Sequence, residues 1–342
     1  MKGQLGYIHA LRGVAILLIV AAHTNSFAPH DNNAVEHIYR ALLREGTALF
    51  VLISGFLFQH LHASYTTLGF WRSKLRNVAL PYLIMSIPGI LLYVAVLPTH
   101  SRIDLAALHE HSVLYQIGYF LITGAHLLPL WFIPVLLMIF ACYPLLRYLA
   151  DSSLLKYVAV ACLVSLVFTQ RATDNIGPLV SFMHFLPVYI VGMALHRYWD
   201  HWIEHAAGYG LGLVGMFIVT TALACVYRDP YAYSSLAILA KLILFVLICA
   251  QCHHVDFVAL SNRSRLLRLF NYLAALSFGI YFVHGYVASA IARSPLVFPV
   301  DNGGLAVALG IANVAVVTAI SVGLVEAVRY TTKSYSRMIV GA

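Results

Sequence analysis

The chain has 342 residues, 61% of them hydrophobic and only 10% charged, with a mean hydropathy of +0.83. Soluble globular chains carry about a quarter charged residues, so a soluble enzyme is excluded, and so is a nucleic-acid binder in spite of the formal net charge of +8. What remains is an all-α, polytopic membrane protein, and residues 1–342 read as one integral membrane domain with no soluble domain attached.

About ten transmembrane helices are predicted, near 11–28, 46–63, 78–98, 129–148, 155–171, 179–197, 206–226, 235–252, 272–292 and 304–329. Lys2 followed by an apolar run has the look of a signal peptide, but the small residues lead straight into His23 and further spans follow, so this is read as an uncleaved first span. With a cytoplasmic N-terminus, Lys2, Arg12, Arg72, Lys74, Arg76, Arg147, Lys156, Arg197, Arg263, Arg265, Arg268, Arg329, Lys333 and Arg337 fall inside. Arg40, Arg44, Arg102, Arg171, Arg228 and Arg293 fall outside, and Lys241 lies within a span. Basic residues concentrate on the cytoplasmic side of membrane proteins, so both termini are expected there.

The first span opens on Leu11–His23, LRGVAILLIVAAH. On a helix the eleven steps from Arg12 to His23 turn through about 1,100°, about 20° past three full turns, so both side chains share a face roughly 16 Å apart along the axis. Ionisable groups at such depth are functional candidates. The alternative is that His23 sits in the outer interface while Arg12 snorkels at the inner one. At the cytoplasmic mouth of the third span stand Arg72, Lys74 and Arg76, three cations suited to a phosphate-rich ligand, or to plain topological anchoring.

The connection 99–128 has amphipathic character and is expected to lie on or dip into the membrane, and 253–272, with three arginines, reads as an interfacial segment or a basic loop. Gly210-Leu-Gly212-Leu-Val-Gly215 has nucleotide-loop spacing but no preceding strand, and reads better as small residues that let membrane helices approach. Cys249-Ala-Gln-Cys252-His253 has the spacing of a haem attachment site, but it closes an apolar helix on the inner side; no metal site or disulfide framework is expected. Among seventeen histidines, His126, His184 and His284 stand at or within spans, as structural hydrogen-bonding groups or as catalysts. Glu326 is an intramembrane carboxylate that Arg329, one turn on, can pair with.

Taken together, residues 11–23, 48–58, 70–82, 130–146, 185–193, 277–285 and 324–330 resemble, in order, the acyltransferase-3 family of integral membrane O-acyltransferases. The resemblance implies a bacterial inner-membrane enzyme. It would move an acyl group, usually acetyl, from cytoplasmic acyl-CoA to a hydroxyl of an extracytoplasmic glycan or glycolipid. Acyl-CoA is then a co-substrate, and no cofactor is permanently bound. Carried over by position, Arg12 and His23 match the family's first-helix pair, Arg72, Lys74 and Arg76 its basic pattern, and Ser54-Gly55 its serine–glycine step. The aspartate that many members have six residues before that serine is Ala48 here, and Glu45 or Glu326 is the candidate replacement.

The mechanism implied has the basic trio holding the nucleotide phosphates, Arg12 guiding a pantetheine arm roughly 15–20 Å long, about the rise from Arg12 to His23, and His23 acting as general base or as acyl carrier. His284 would be a second base or a donor to the acceptor, and Trp131 and Tyr281 would stack on a sugar or form part of an aromatic belt. A transporter or flippase for a glycan or lipid-linked precursor is the alternative. Beyond the lipid bilayer and the two substrates no partner is called for, and the oligomeric state is left open.

Overall fold

A computed structural model describes residues 6–24, 38, 41–43, 45–172, 175–227, 230–255, 257–295, 300 and 303–342. Among the described residues every regular element is helical. In chain order these are α1 (Gly6–His23), α2 (Gly46–Leu61), α3 (Thr67–Lys74), a π-helical segment Leu75–Ala79, α4 (Leu80–Ala95), α5 (Leu105–His109), α6 (Val113–Thr123), α7 (Phe132–Ala141) and α8 (Tyr143–Asp151). Then follow α9 (Leu155–Ser165), α10 (Pro178–Arg197), α11 (Trp199–Gly208), α12 (Gly210–Val226), α13 (Pro230–Cys252), α14 (Phe257–Arg263), α15 (Arg265–Ala292), α16 (Gly303–Thr332) and α17 (Ser336–Ile339).

Seven of the described helices are long and apolar enough to cross a membrane, nine if each of two bent pairs counts as one span. The expected tenth, at 155–171, is α9, whose 11 residues reach about 16 Å against a hydrocarbon core of about 30 Å. The segment read as a connection at 99–128 contains α6, which forms with Leu128–Ala141 a pair bent by 76°. The bend has a local cause. Gly124 takes a left-handed conformation (φ 67°) at the C-cap of α6, and the short 3₁₀ turn Leu128–Trp131 carries Pro129 at its start. The first span likewise starts earlier than expected, at Gly6, and its helix ends on His23. Of the residues used to orient the chain, Lys2, Arg40, Arg44 and Arg228 lie outside the described residues.

Two glycine contacts set the frame. α2 and α10 lie so close that a Cβ on Gly55 would collide with the Tyr189 carbonyl, and one on Gly192 with the Leu52 carbonyl. α1 approaches α15 in the same way, Gly13 lying against the Phe270 carbonyl. Such approach maximises dispersion contact where lipid supplies no hydrophobic drive. It explains the glycine of the Ser54-Gly55 step as packing. The Gly210–Gly215 run is a correction: Gly212 and Gly215 face open space on α12, and only Gly210 packs, against Gln251 of α13. Leu211, Ile218 and Val219 of the same helix are exposed, as lipid-facing residues are.

Candidate functional site

α1 and α15 run side by side and carry the site. Arg12 Nη2 donates to Ser277 Oγ at 3.1 Å, and Ser277 in turn donates to the Ala274 carbonyl at 2.8 Å. The α15 residue level with Gly13, next to Arg12, is Phe270, and Ser277 stands seven residues, about 10 Å, further along. The guanidinium is therefore drawn toward the middle of the bundle.

At the other end of α1, His23 meets His284 of α15. His23 Nδ1 lies 2.8 Å from the Ile19 carbonyl oxygen and 3.2 Å from His284 Nε2, and His284 Nδ1 lies 3.0 Å from the Ile280 carbonyl oxygen. A carbonyl only accepts, so the hydrogen-bond network assigns a proton to both Nδ1 atoms. The single His23 Nδ1–H is then shared between the Ile19 carbonyl, its nearer acceptor at 2.8 Å, and His284 Nε2 at 3.2 Å, and His23 Nε2 keeps an uncommitted lone pair. The helix end is tied down beside it. Thr24 Oγ1 donates to the Val20 carbonyl at 3.0 Å, and Asn313 Nδ2 of α16 donates to the Thr24 carbonyl at 3.3 Å, satisfying groups a helix terminus leaves open. His284 is fully buried, while His23 is partly exposed.

A cavity of about 1030 Å³ enters the bundle from the arginine end. Arg12, Ser54, Lys74 and Glu326 line it, with Arg329, Lys333 and Arg337 also on its wall and Phe132, Phe278 and Tyr281 among its aromatics. His23 and His284 are not on its wall. Tyr281 stands between, its ring 5.9 Å from that of His284 and 6.2 Å from that of Phe132. Its hydroxyl donates to the Pro129 carbonyl in the turn of the bent pair. Tyr281 and Trp131 are both buried in the core rather than displayed as a stacking platform.

The basic trio of the third span divides. Lys74 points into the large cavity, its Nζ 4.5 Å from the centre of the Phe140 ring and 5.1 Å from that of Phe70. Arg72 and Arg76 line a separate bowl of about 520 Å³ with Ser73, Asn77, Ser334 and Arg337. Residues four apart share a helix face and one two places away does not, which is why the trio splits. The sequence reading missed Ser277 as the partner of Arg12, and Ser334 and Arg337 as walls of the bowl. Past α16 the chain turns back through Lys333–Tyr335 into α17, a reversal with no strong sequence signal beyond the basic residues themselves.

Neither proposed substitute for the absent aspartate touches His23. Glu326 is at the opposite end, accepting from Arg329 Nη1 at 2.8 Å and from the Tyr272 hydroxyl at 2.9 Å. Glu45 is buried at the N-cap of α2 in a left-handed conformation (φ 57°). Its Oε1 accepts from Ser234 at 3.2 Å and lies 4.0 Å from Arg171 Nε, whose guanidinium rests 5.5 Å from the centre of the Trp131 ring. His184 joins the same group, Nε2 at 3.3 Å from Ser234 Oγ and Nδ1 at 3.1 Å from Thr169 Oγ1, as a structural link between α10 and α13. Among the described residues the groups against His23 Nδ1 are the Ile19 carbonyl and His284. Ser54 donates to the Phe50 carbonyl at 2.8 Å within its own helix and lines the cavity. Among the described residues no cluster of three or more metal-ligating side chains occurs.

These features define a multi-pass helical membrane protein with a deep, cation-lined cavity at one end and a hydrogen-bonded pair of imidazoles at the other. Residues 5–324 match the acyltransferase-3 family, described as an acyltransferase domain, and the chain belongs to that family; it is a membrane acyltransferase. No curated protein and no solved structure matches the chain.

Proposed function

We propose that this acyltransferase takes an acyl group, acetyl first, from acyl-CoA bound at the arginine end and places it on a hydroxyl of a glycan or glycolipid at the histidine end. The observation that carries the reading is the His23–His284 pair at the far end of a helix whose Arg12 lines the cavity. The excess of basic residues at the arginine end supports a cytoplasmic position for that end, in a bacterial inner membrane.

The cations hold the anionic carrier by charge-assisted hydrogen bonds, and the thioester follows the cavity past Arg12. His23 Nε2 takes the proton of the acceptor hydroxyl as its oxygen attacks the thioester carbonyl. The C–S bond breaks, the ester forms, and the proton on Nε2 passes to the leaving thiolate, giving CoA thiol. His284 Nε2 and the Ile19 carbonyl share the Nδ1–H throughout, holding the ring and stabilising the imidazolium, the task a carboxylate performs in hydrolytic triads. Tyr281 and Phe132 must turn aside for thioester and imidazole to meet, a local motion that admits the acyl group to the imidazole pair in each turnover.

The test is free-thiol release from acetyl-CoA by detergent-purified protein, with a crude membrane-glycan extract as acceptor. Wild type is expected to release thiol only with extract present, and His23→Ala, shown to be folded by gel filtration, to lose about 10²–10⁴-fold. Equal release by both proteins removes His23 from the reaction, and no release by wild type overturns the acetyl-CoA reading.

A further inference from the structure

The bowl beside the cavity has a composition of its own. Three guanidinium groups, from Arg72, Arg76 and Arg337, line it together with the hydroxyls of Ser73 and Ser334 and the amide of Asn77. No carboxylate is on its wall, and among the described residues none of the three arginines makes an ion pair. In the large cavity, by contrast, Arg329 is already paired with Glu326. The two spaces meet at Asn77 and Arg337, which line both.

Arg337 is held in place. Its neighbour Ser336 and the nearby Val340 are buried, and α17 packs on α4 and on the π-helical segment that carries Arg76. Gly341 takes a left-handed conformation (φ 76°) with its α-carbon against the Phe278 ring, a position a side chain would strain. The whole tail from Lys333 onward lies beyond residue 324, where the family match ends, so this wall of the bowl belongs to the chain's own C-terminal segment.

Resting on the acyl-CoA reading above, we propose that the bowl is a phosphomonoester site for the ribose 3′-phosphate of the donor, apart from its diphosphate, with Arg337 as the residue that sets the preference for the phosphorylated donor. A phosphomonoester carries about −1.5 to −2 charges and three strong acceptor oxygens. Three forked guanidinium groups and two hydroxyls match that charge and directionality, and exceed what a singly charged phosphodiester calls for. A donor lying across the shared wall has its terminal phosphate in the bowl and its pantetheine arm in the cavity.

The test is equilibrium binding of adenosine 3′,5′-bisphosphate and adenosine 5′-monophosphate to the full chain in neutral-lipid nanodiscs. It is followed by KM for acetyl-CoA against acetyl-3′-dephospho-CoA. Wild type is expected to favour each 3′-phosphorylated ligand by about tenfold or more, since hydrogen bonds to charged groups contribute roughly 1.5–3 kcal/mol. Arg337→Gln is expected to remove most of that preference, weakening the 3′-phosphorylated ligands by more than the dephosphorylated ones, and Arg337→Lys to restore part of it. Equal wild-type affinities, or an Arg337→Gln effect that weakens both ligands alike, overturns the proposal. So does loss of the preference in nanodiscs rich in phosphatidylglycerol, which assigns the bowl to a lipid phosphate. Preferential binding of the bisphosphate without turnover of either donor overturns the acyl-CoA reading and leaves the phosphomonoester site standing, and turnover of both at equal KM does the reverse.

Discussion

At the histidine end of the bundle, the imidazoles of His23 and His284 sit among carbonyls that fix where their protons lie, at the end of a helix pinned by Asn313. At the arginine end, Arg72, Arg76 and Arg337 line an open bowl with no ion-pair partner among the described residues, and Arg12 reaches into a cavity of about 1030 Å³. One region is ordered by partners already present in the protein, and the other has donors to spare. In a low-dielectric bundle a buried polar group without a partner is costly, so chemistry that needs a fixed proton is best kept where the network is complete. Capture of a large anion is best kept at the mouth, where water serves the cations until the ligand arrives.

Substitutions that act at one end only sharpen this contrast. Outside the imidazole pair, the largest effect is expected from Arg12→Ala, which removes the cation between the two regions. Transfer should fall by about 10²-fold, mostly through KM for the donor, because truncating a hydrogen-bonded charge in a desolvated site costs roughly 2–5 kcal/mol. A normal KM in steady-state assays takes Arg12 out of donor binding. Next is Gly55→Ala, which sets a methyl against the Tyr189 carbonyl on the frame that carries the cavity wall. A loss of about 1–3 kcal/mol is expected, seen as a lower melting temperature in detergent, and an unchanged melt breaks the argument that α2 and α10 are in backbone contact. The smallest effect belongs to Ser277→Ala. It leaves the Arg12 charge in place and removes one hydrogen bond, so the donor KM should rise by no more than about tenfold, and a total loss of activity contradicts a merely orienting hydroxyl.

Much of this was legible in the residues. The eleven-residue interval on an apolar helix placed Arg12 and His23 on one stripe, and the structure keeps them on the helix that meets α15. The pairing of His23 with His284 was not legible, because 261 positions separate them and no local pattern links α1 to α15. The only signal was similar depth in two different spans. Looking for a carboxylate led to Glu45 and Glu326, but the first is occupied at the N-cap of α2 and the second lies with Arg329 at the other end. The bend at Gly124 was hidden by a different cause: α6 is short and its mixed polarity reads as a loop, although Gly124 and Pro129 carried the turn chemistry. The splitting of Lys74 from Arg72 and Arg76 follows from helix geometry alone and was there to be read.

The account rests most heavily on His284 acting through His23, and steady-state kinetics of two His284 variants test it directly. His284→Phe leaves the Nδ1–H of His23 with the Ile19 carbonyl alone, while His284→Gln restores a second acceptor oxygen near the position of Nε2. The account predicts that the phenylalanine variant loses about 10²–10⁴-fold in kcat, the range of a general base deprived of its alignment, with donor KM little changed. The glutamine variant should recover at least about tenfold of that loss. Full kcat in the phenylalanine variant, or equal losses in the two, would contradict it.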